Sequence, residues 1–268
     1  MTFINIHLNN NYSFLTQILI LIISFFSNLF SAISGGGAGL IQLPALVIFG
    51  IPYSKALASH KVATVALGVG GSIRNIASLK EDIKKIIELT LIGIPGVILG
   101  SNLVYLIADS YLYLILGLFS VVIGTYSSRK PNFGLNTKII DISLTRRIIF
   151  YLCVFSIGII NGAISSGSGL LVTILLIKIY KIDFLRAVGI TLFSVGIFWN
   201  LSGAITLSRI GILEYDILTV LLVGSFSGGY IGAHLSNLKG NLLIKKIFNI
   251  ICLSVGFSLL VKGIRSFI

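Results

Sequence analysis

Ser34-Gly35-Gly36-Gly37-Ala38-Gly39 and Ser165-Ser166-Gly167-Ser168-Gly169 lie about 130 residues apart, each between a long apolar segment and a short one. Glycine releases backbone N–H and C=O groups from regular helix. Inside a bilayer such groups survive only against protein or a wet cavity. Matched breaks of this kind are where membrane carriers build a solute site. If short helices open from Gly37 to Gly39 and from Gly167 to Gly169, their amino ends carry free amides and partial positive charge, which suits a small oxyanion. The same glycines would also permit tight helix crossings, and the sequence leaves both uses open. For Gly96/Gly100 and Gly228/Gly232 the Gly-x-x-x-Gly spacing favours packing.

Side chains near the breaks add donors. Lys61 follows His60 a few residues inside an apolar segment, where a charge costs about 2.5 to 3.5 kcal/mol unless it snorkels, pairs or faces water. It either lines the pathway or reaches an interface. His60 can exchange a proton or simply donate a hydrogen bond. Thr191 and Ser194 occupy the corresponding second-half segment as neutral donors, while Arg74 reads as interfacial, and Asn200 and His234 fit either a polar cavity or ordinary helix contacts. The candidate substrate-binding set is therefore Gly35, Gly36, Gly37, Gly39, His60, Lys61, Gly167, Ser168, Gly169 and Thr191.

Other chemistries lack their residues. Glu81, Asp82, Glu88, Asp109, Asp141, Asp183, Glu214 and Asp216 all fall in loops or near segment ends, which argues against an acidic cation relay and against paired aspartates holding Mg²⁺. No Ser/His/Asp arrangement, metal-spaced His/Cys set or ATP-binding P-loop is visible, so neither an enzyme nor a bound metal or cofactor is expected. Cys153 and Cys252 sit in apolar runs as small buried side chains. The net charge of +12 reflects loops beside anionic lipid headgroups rather than a nucleic-acid partner.

The elements that must carry these residues are membrane helices. Hydrophobic residues make up 56% of the 268, charged residues 10%, and the mean hydropathy is +1.04, far from the roughly 25% charge of a soluble domain. At about 20 residues per crossing the length allows eight to ten membrane segments. Apolar runs give Phe14–Ile33, Leu40–Ile51, Ala56–Ala77, Ile83–Ile107 and Tyr111–Tyr126, then Arg147–Ile164, Leu170–Tyr180, Ala187–Leu207, Tyr215–Leu235 and Leu242–Ile264. Residues 1–126 and 147–268 thus read as repeats, long, short, long, long, long, joined by a polar cytoplasmic linker at 127–146. Gly37 and Gly39 match Gly167 and Gly169, Ala56 matches Ala187, and Gly96/Gly100 match Gly228/Gly232. Met1 to Asn11 lack the basic start of a secretory signal, so Phe14–Ile33 is expected to be a retained span.

If the short segments cross and the amino terminus is outside, fifteen of the twenty Lys and Arg fall in cytoplasmic loops, as the positive-inside rule prefers. Five crossings per half would make the repeats inverted. Re-entrant short segments would instead give eight crossings and parallel repeats, because 11 to 13 residues reach only about 17 to 20 Å as helix.

Ser34 to Pro44, reading Ser-Gly-Gly-Gly-Ala-Gly-Leu-Ile-Gln-Leu-Pro, and Ala56-Leu57-Ala58-Ser59-His60-Lys61 together resemble the TauE/SafE family of sulfite exporter-like membrane permeases. Asn161 to Gly169 and Ala187 to Thr191 resemble that family's duplicate, so the resemblance covers nearly the whole chain. Ser59 stands where threonine is frequent, and Ile174 where a second proline often lies. The resemblance implies an all-α polytopic protein of the cytoplasmic (inner) cell membrane that transports sulfite, a sulfonate or a related anion. Alternating access between the repeats, with small anionic solute and membrane lipid as partners, is the leading expectation. A homo-oligomer stays open, and a non-catalytic membrane assembly subunit is the alternative.

Overall fold

A computed structural model describes residues 12–128, 143–209, 213–236 and 242–266. Met1 to Asn11, most of the expected linker at 127–146, and the side chains of Arg74 and Cys252 lie outside the described residues. The described chain is helical throughout: α1 (Phe14–Ser34), α2 (Gln42–Ile48), α3 (Tyr53–Leu79), α4 (Ile83–Leu103), α5 (Asp109–Ser128), α6 (Leu144–Ala163), α7 (Ser168–Tyr180), α8 (Phe184–Thr191), α9 (Asn200–Ser208), α10 (Tyr215–Ser236) and α11 (Leu242–Arg265). A π-helical stretch, Leu192–Trp199, fuses α8 and α9 into one rod. Among the described residues, five stretches are long and apolar enough to cross a membrane: Phe14–Ser34, Lys80–Leu103, Leu144–Ala163, Phe184–Ser208 and Tyr215–Ser236. Leu15, Leu91, Leu152 and Val223 are exposed on these helices, the apolar outer surface that lipid requires.

Glycine on one helix meeting carbonyl on the next sets the packing. Gly224, Gly228 and Gly232 of α10 abut the Leu21, Phe25 and Leu29 carbonyls of α1, so these two helices run parallel. Gly96 and Gly100 of α4 abut the Phe155 and Ile159 carbonyls of α6, again in parallel. A methyl group at any of these positions would strike backbone, which is why the Gly-x-x-x-Gly spacing marks seams here. Between the two pairs, α3 crosses the α8–α9 rod antiparallel, with Gly68 against Gly196 and Lys61 against Gly203.

The two short helices are interior. Leu43, Leu46 and Val47 of α2 belong to one apolar cluster with Ile51, Leu112, Leu116, Ile217 and Leu259. Val172, Leu176 and Ile177 of α7 belong to another with Leu89, Phe150, Val154 and Trp199. The first short helix differs from the sequence expectation, because it does not open directly from the glycines. A 3₁₀ turn at Ala38–Leu40 intervenes and the α-helix begins at Gln42. Pro44 then sits in the first helical turn, where its missing N–H breaks no ladder bond. Gly50, at φ 90°, and Pro52 end the element, and Lys262 of α11 donates to the Val47 carbonyl at 2.9 Å.

Candidate functional site

Both breaks are built from residues at positive φ. Gly35, Gly36 and Gly37 take φ values of 80°, 131° and 107°, and the Gly36 N–H turns back to the Ser31 carbonyl at 2.8 Å. Ser165 (φ 59°) and Gly167 (φ 73°) do the same work at the end of α6. The breaks touch. A Cβ on Gly36 would stand 2.8 Å from the Gly169 Cα, and one on Gly39 would stand 3.0 Å from both the Ser166 Cα and the His60 Nε2. The Ser166 hydroxyl donates to the Gly39 carbonyl at 2.5 Å, and the Thr173 hydroxyl donates to the Gly35 carbonyl at 2.6 Å. Hydroxyls of the second half therefore satisfy carbonyls that the first break frees.

Beside the crossing lies a cavity of about 30 Å³, room for about two water molecules. Gly36, Gly37 and Gly39 line it from the first break, Ser165, Ser168 and Gly169 from the second, and His60, Thr64, Asn161, Thr191 and Asn200 from the surrounding helices. No carboxylate is in this lining. Of the expected set, Gly36, Gly37, Gly39, His60, Ser168, Gly169 and Thr191 reach the cavity. Gly35 instead contacts Thr173 and Val188, and Gly167 caps α7.

Lys61 stands one side chain behind the wall. It is fully buried, and its ammonium donates to the Asn161 carbonyl at 2.7 Å and to Asn161 Oδ1 at 3.1 Å. The Asn161 amide in turn donates to the Ser168 hydroxyl at 2.8 Å. Among the described residues no carboxylate pairs with Lys61, and Gly203 makes room for its stem. An ammonium in a low-dielectric interior with only neutral partners projects its field into the nearest polar space, which is this cavity.

On the opposite wall, His60 Nδ1 is 2.6 Å from Gln42 Oε1, and the Gln42 amide donates to the Ser24 hydroxyl at 2.8 Å. That hydroxyl belongs to a buried cluster with Ser225 and Asn28, in which Asn28 Oδ1 is unpartnered. Thr173 and Thr191 pair at 2.9 Å with the same separation of 18 residues as Gln42 and His60. The π-helical stretch completes the wall: it turns Leu192, Val195 and Gly196 onto the cavity, and the Asn200 amide takes the Val195 carbonyl at 2.7 Å. Wide turns of this kind concentrate at functional sites. Ser194 is buried without a partner and does not line the cavity.

Gln42, Thr64, Asn161 and Thr173 were not singled out by sequence reasoning as site residues. Gln42 carried a usable signal, because it is the only polar side chain between Leu40 and Ile51. Among the described residues no three His, Cys, Asp or Glu side chains gather as a metal site.

Comparison with known proteins places the chain among membrane transporters. A probable membrane transporter protein, ORF9, of Sinorhizobium sp is 26% identical over 249 residues, covering 88% of this chain and 89% of its own length. The probable membrane transporter protein YdhB of Bacillus subtilis is 23% identical over 234 residues, covering 85% and 94%. A Haemophilus influenzae probable membrane transporter protein is 24% identical over 224 residues, covering 83% and 86%. No solved structure matches. The pattern described as sulfite exporter TauE/SafE matches residues 20–259; the chain belongs to this family and is a multi-pass membrane transporter.

Proposed function

We propose that this transporter is a secondary permease of the cytoplasmic membrane that carries a small anion, sulfite or a sulfonate, by alternating access between two inverted repeats. One observation carries the reading: two crossed backbone breaks and a buried, carboxylate-free ammonium flank a cavity lined by hydroxyl and amide side chains. The Asn161 and Asn200 amides each keep one uncommitted proton for an oxyanion, and the hydroxyls of Thr64, Ser165, Ser168 and Thr191 can join them by exchanging the bonds they now make within the protein. Lys61 offsets its charge from behind Asn161. At about 30 Å³ the cavity holds only water-sized guests, so entry of an anion requires the helices around it to part.

The antiparallel crossing of α3 and the α8–α9 rod, corresponding elements of the two halves, supports inversion, and an exchange of partners supports the duplication. Helix α1 packs on α10 while α6 packs on α4, as expected if α1–α5 and α6–α11 are copies and each lends its first helix to the other's fourth element. Internal symmetry of this kind gives a carrier two related conformations of similar energy. The family description points to sulfite as the first anion to try.

The test is flux into proteoliposomes containing the purified protein, with sulfite, alkyl sulfonates, thiosulfate and carboxylates compared with and without a pH gradient. Saturable flux of at least one sulfur oxyanion is expected. Passive leakage for every anion in the panel would overturn the reading.

A further inference from the structure

We propose that two ion pairs, Lys55–Glu214 and Arg186–Asp82, are the alternating latches of the transporter, one closing each face of the cavity; this rests on the alternating-access reading. Lys55 is the third residue of α3, and Arg186 is the third residue of α8. Glu214 directly precedes α10 and Asp82 directly precedes α4. The basic partners are 131 residues apart in sequence and the acidic partners 132, the same offsets that relate the two halves. Each pair also joins a residue of one half to a residue of the other.

Their placement is what a two-sided gate needs. Helix α3 is 27 residues long, about 40 Å at helical rise. It starts at the Lys55–Glu214 pair and ends beside the Arg186–Asp82 pair. The α8–α9 rod runs the opposite way between the same two points. The cavity lies between these rods, and each pair ties the first turn of one rod to the segment that follows the other rod's last turn. Parting the rods at either end, with the segment that follows each rod moving along with it, separates that end's pair.

The pairs differ in strength. Lys55 meets Glu214 at 3.0 Å with side chains 43% and 11% exposed. Asp82 is fully buried, is bound by both Lys85 and Arg186, and Arg186 also reaches Glu81 at 3.3 Å. A single half-exposed pair yields more readily than a buried one with several partners. The Lys55 face is therefore the one that opens first from this conformation.

The experiment uses the full chain with Cys153→Ser and Cys252→Ser, reconstituted in vesicles, and a reporter Thr64→Cys in the cavity wall. A membrane-impermeant thiol reagent is added from one side or the other. Cross-linking Lys55→Cys to Glu214→Cys should slow reporter labelling from that face about tenfold and leave the other face within about twofold, and cross-linking Arg186→Cys to Asp82→Cys should do the converse. Reduction should restore both. If the variant carrying Asp82→Cys does not fold, Lys55→Gln alone should speed labelling from the Lys55 face. Labelling that ignores both cross-links, or that ignores Lys55→Gln when only that variant folds, overturns the latches. The readout needs no known substrate, so a negative anion panel and failed latches are distinguishable outcomes.

Discussion

The two chain breaks perform the same task with different chemistry. The first uses three glycines in succession and supplies little but backbone to the cavity. Its polar side chains come later, from Gln42 and His60, and lead away to Ser24, Ser225 and Asn28. The second uses serines, so hydroxyls of Ser165 and Ser168 reach the cavity directly and connect through Asn161 to Lys61 of the first half. The difference teaches that a duplicated scaffold need not carry duplicated chemistry: one break offers close approach, the other offers donors, and charge is borrowed across the interface.

This contrast can be broken most forcefully at Gly36. Its φ of 131° and its contact with the Gly169 backbone leave no room for a methyl group, so Gly36→Ala should cost about 3 kcal/mol or more and largely abolish folded protein. Yield and thermal unfolding in detergent would measure it; normal stability would show that the crossing is not tight. Next in size, Gln42→Leu strands His60 Nδ1 and removes one donor from the Ser24 hydroxyl, which keeps Leu221 and Ser225, for a loss of about 1–3 kcal/mol. Its counterpart Thr173→Val should cost less, about 1 kcal/mol, because only hydroxyl-mediated bonds are lost. An equal loss for the pair would contradict the asymmetry between the halves.

Lys61→Met separates function from stability. Replacing a buried ion by an apolar side chain of similar length should change unfolding by less than about 1 kcal/mol, while flux of the transported anion falls on the order of tenfold. Smallest of all is Gly169→Ala. Its φ is ordinary and the added methyl group would meet Gly36 Cα at 3.1 Å, so a cost under about 1 kcal/mol is expected. A Gly169→Ala effect as large as that of Gly36→Ala would make the breaks equivalent after all.

Helix limits were legible because apolar runs in lipid leave few alternatives: Ala56–Ala77 became Tyr53–Leu79, and Leu170–Tyr180 became Ser168–Tyr180. The breaks were legible because glycine clusters are conspicuous in such runs. The π-helical stretch was not, since Leu192–Trp199 reads as ordinary apolar helix, and its close contact through Gly196 with Gly68 of α3 joins residues far apart in the chain. The reach of Lys61 was equally hidden. Its position in an apolar segment announces a buried cation, but that it ends on Asn161, behind the wall, depends on the space left by Gly203 in a helix more than a hundred residues away. Gln42 shows the same limit, because its meeting with His60 is set by how a short helix doubles back on the next.

The central claim, that the cavity at the crossing is where the anion binds, is tested most directly by protection. A cysteine at Thr64, reacted with a small thiol reagent, should be shielded by the transported anion with the same half-saturation as flux. An anion that saturates flux yet leaves the labelling rate unchanged would place its path elsewhere in the molecule.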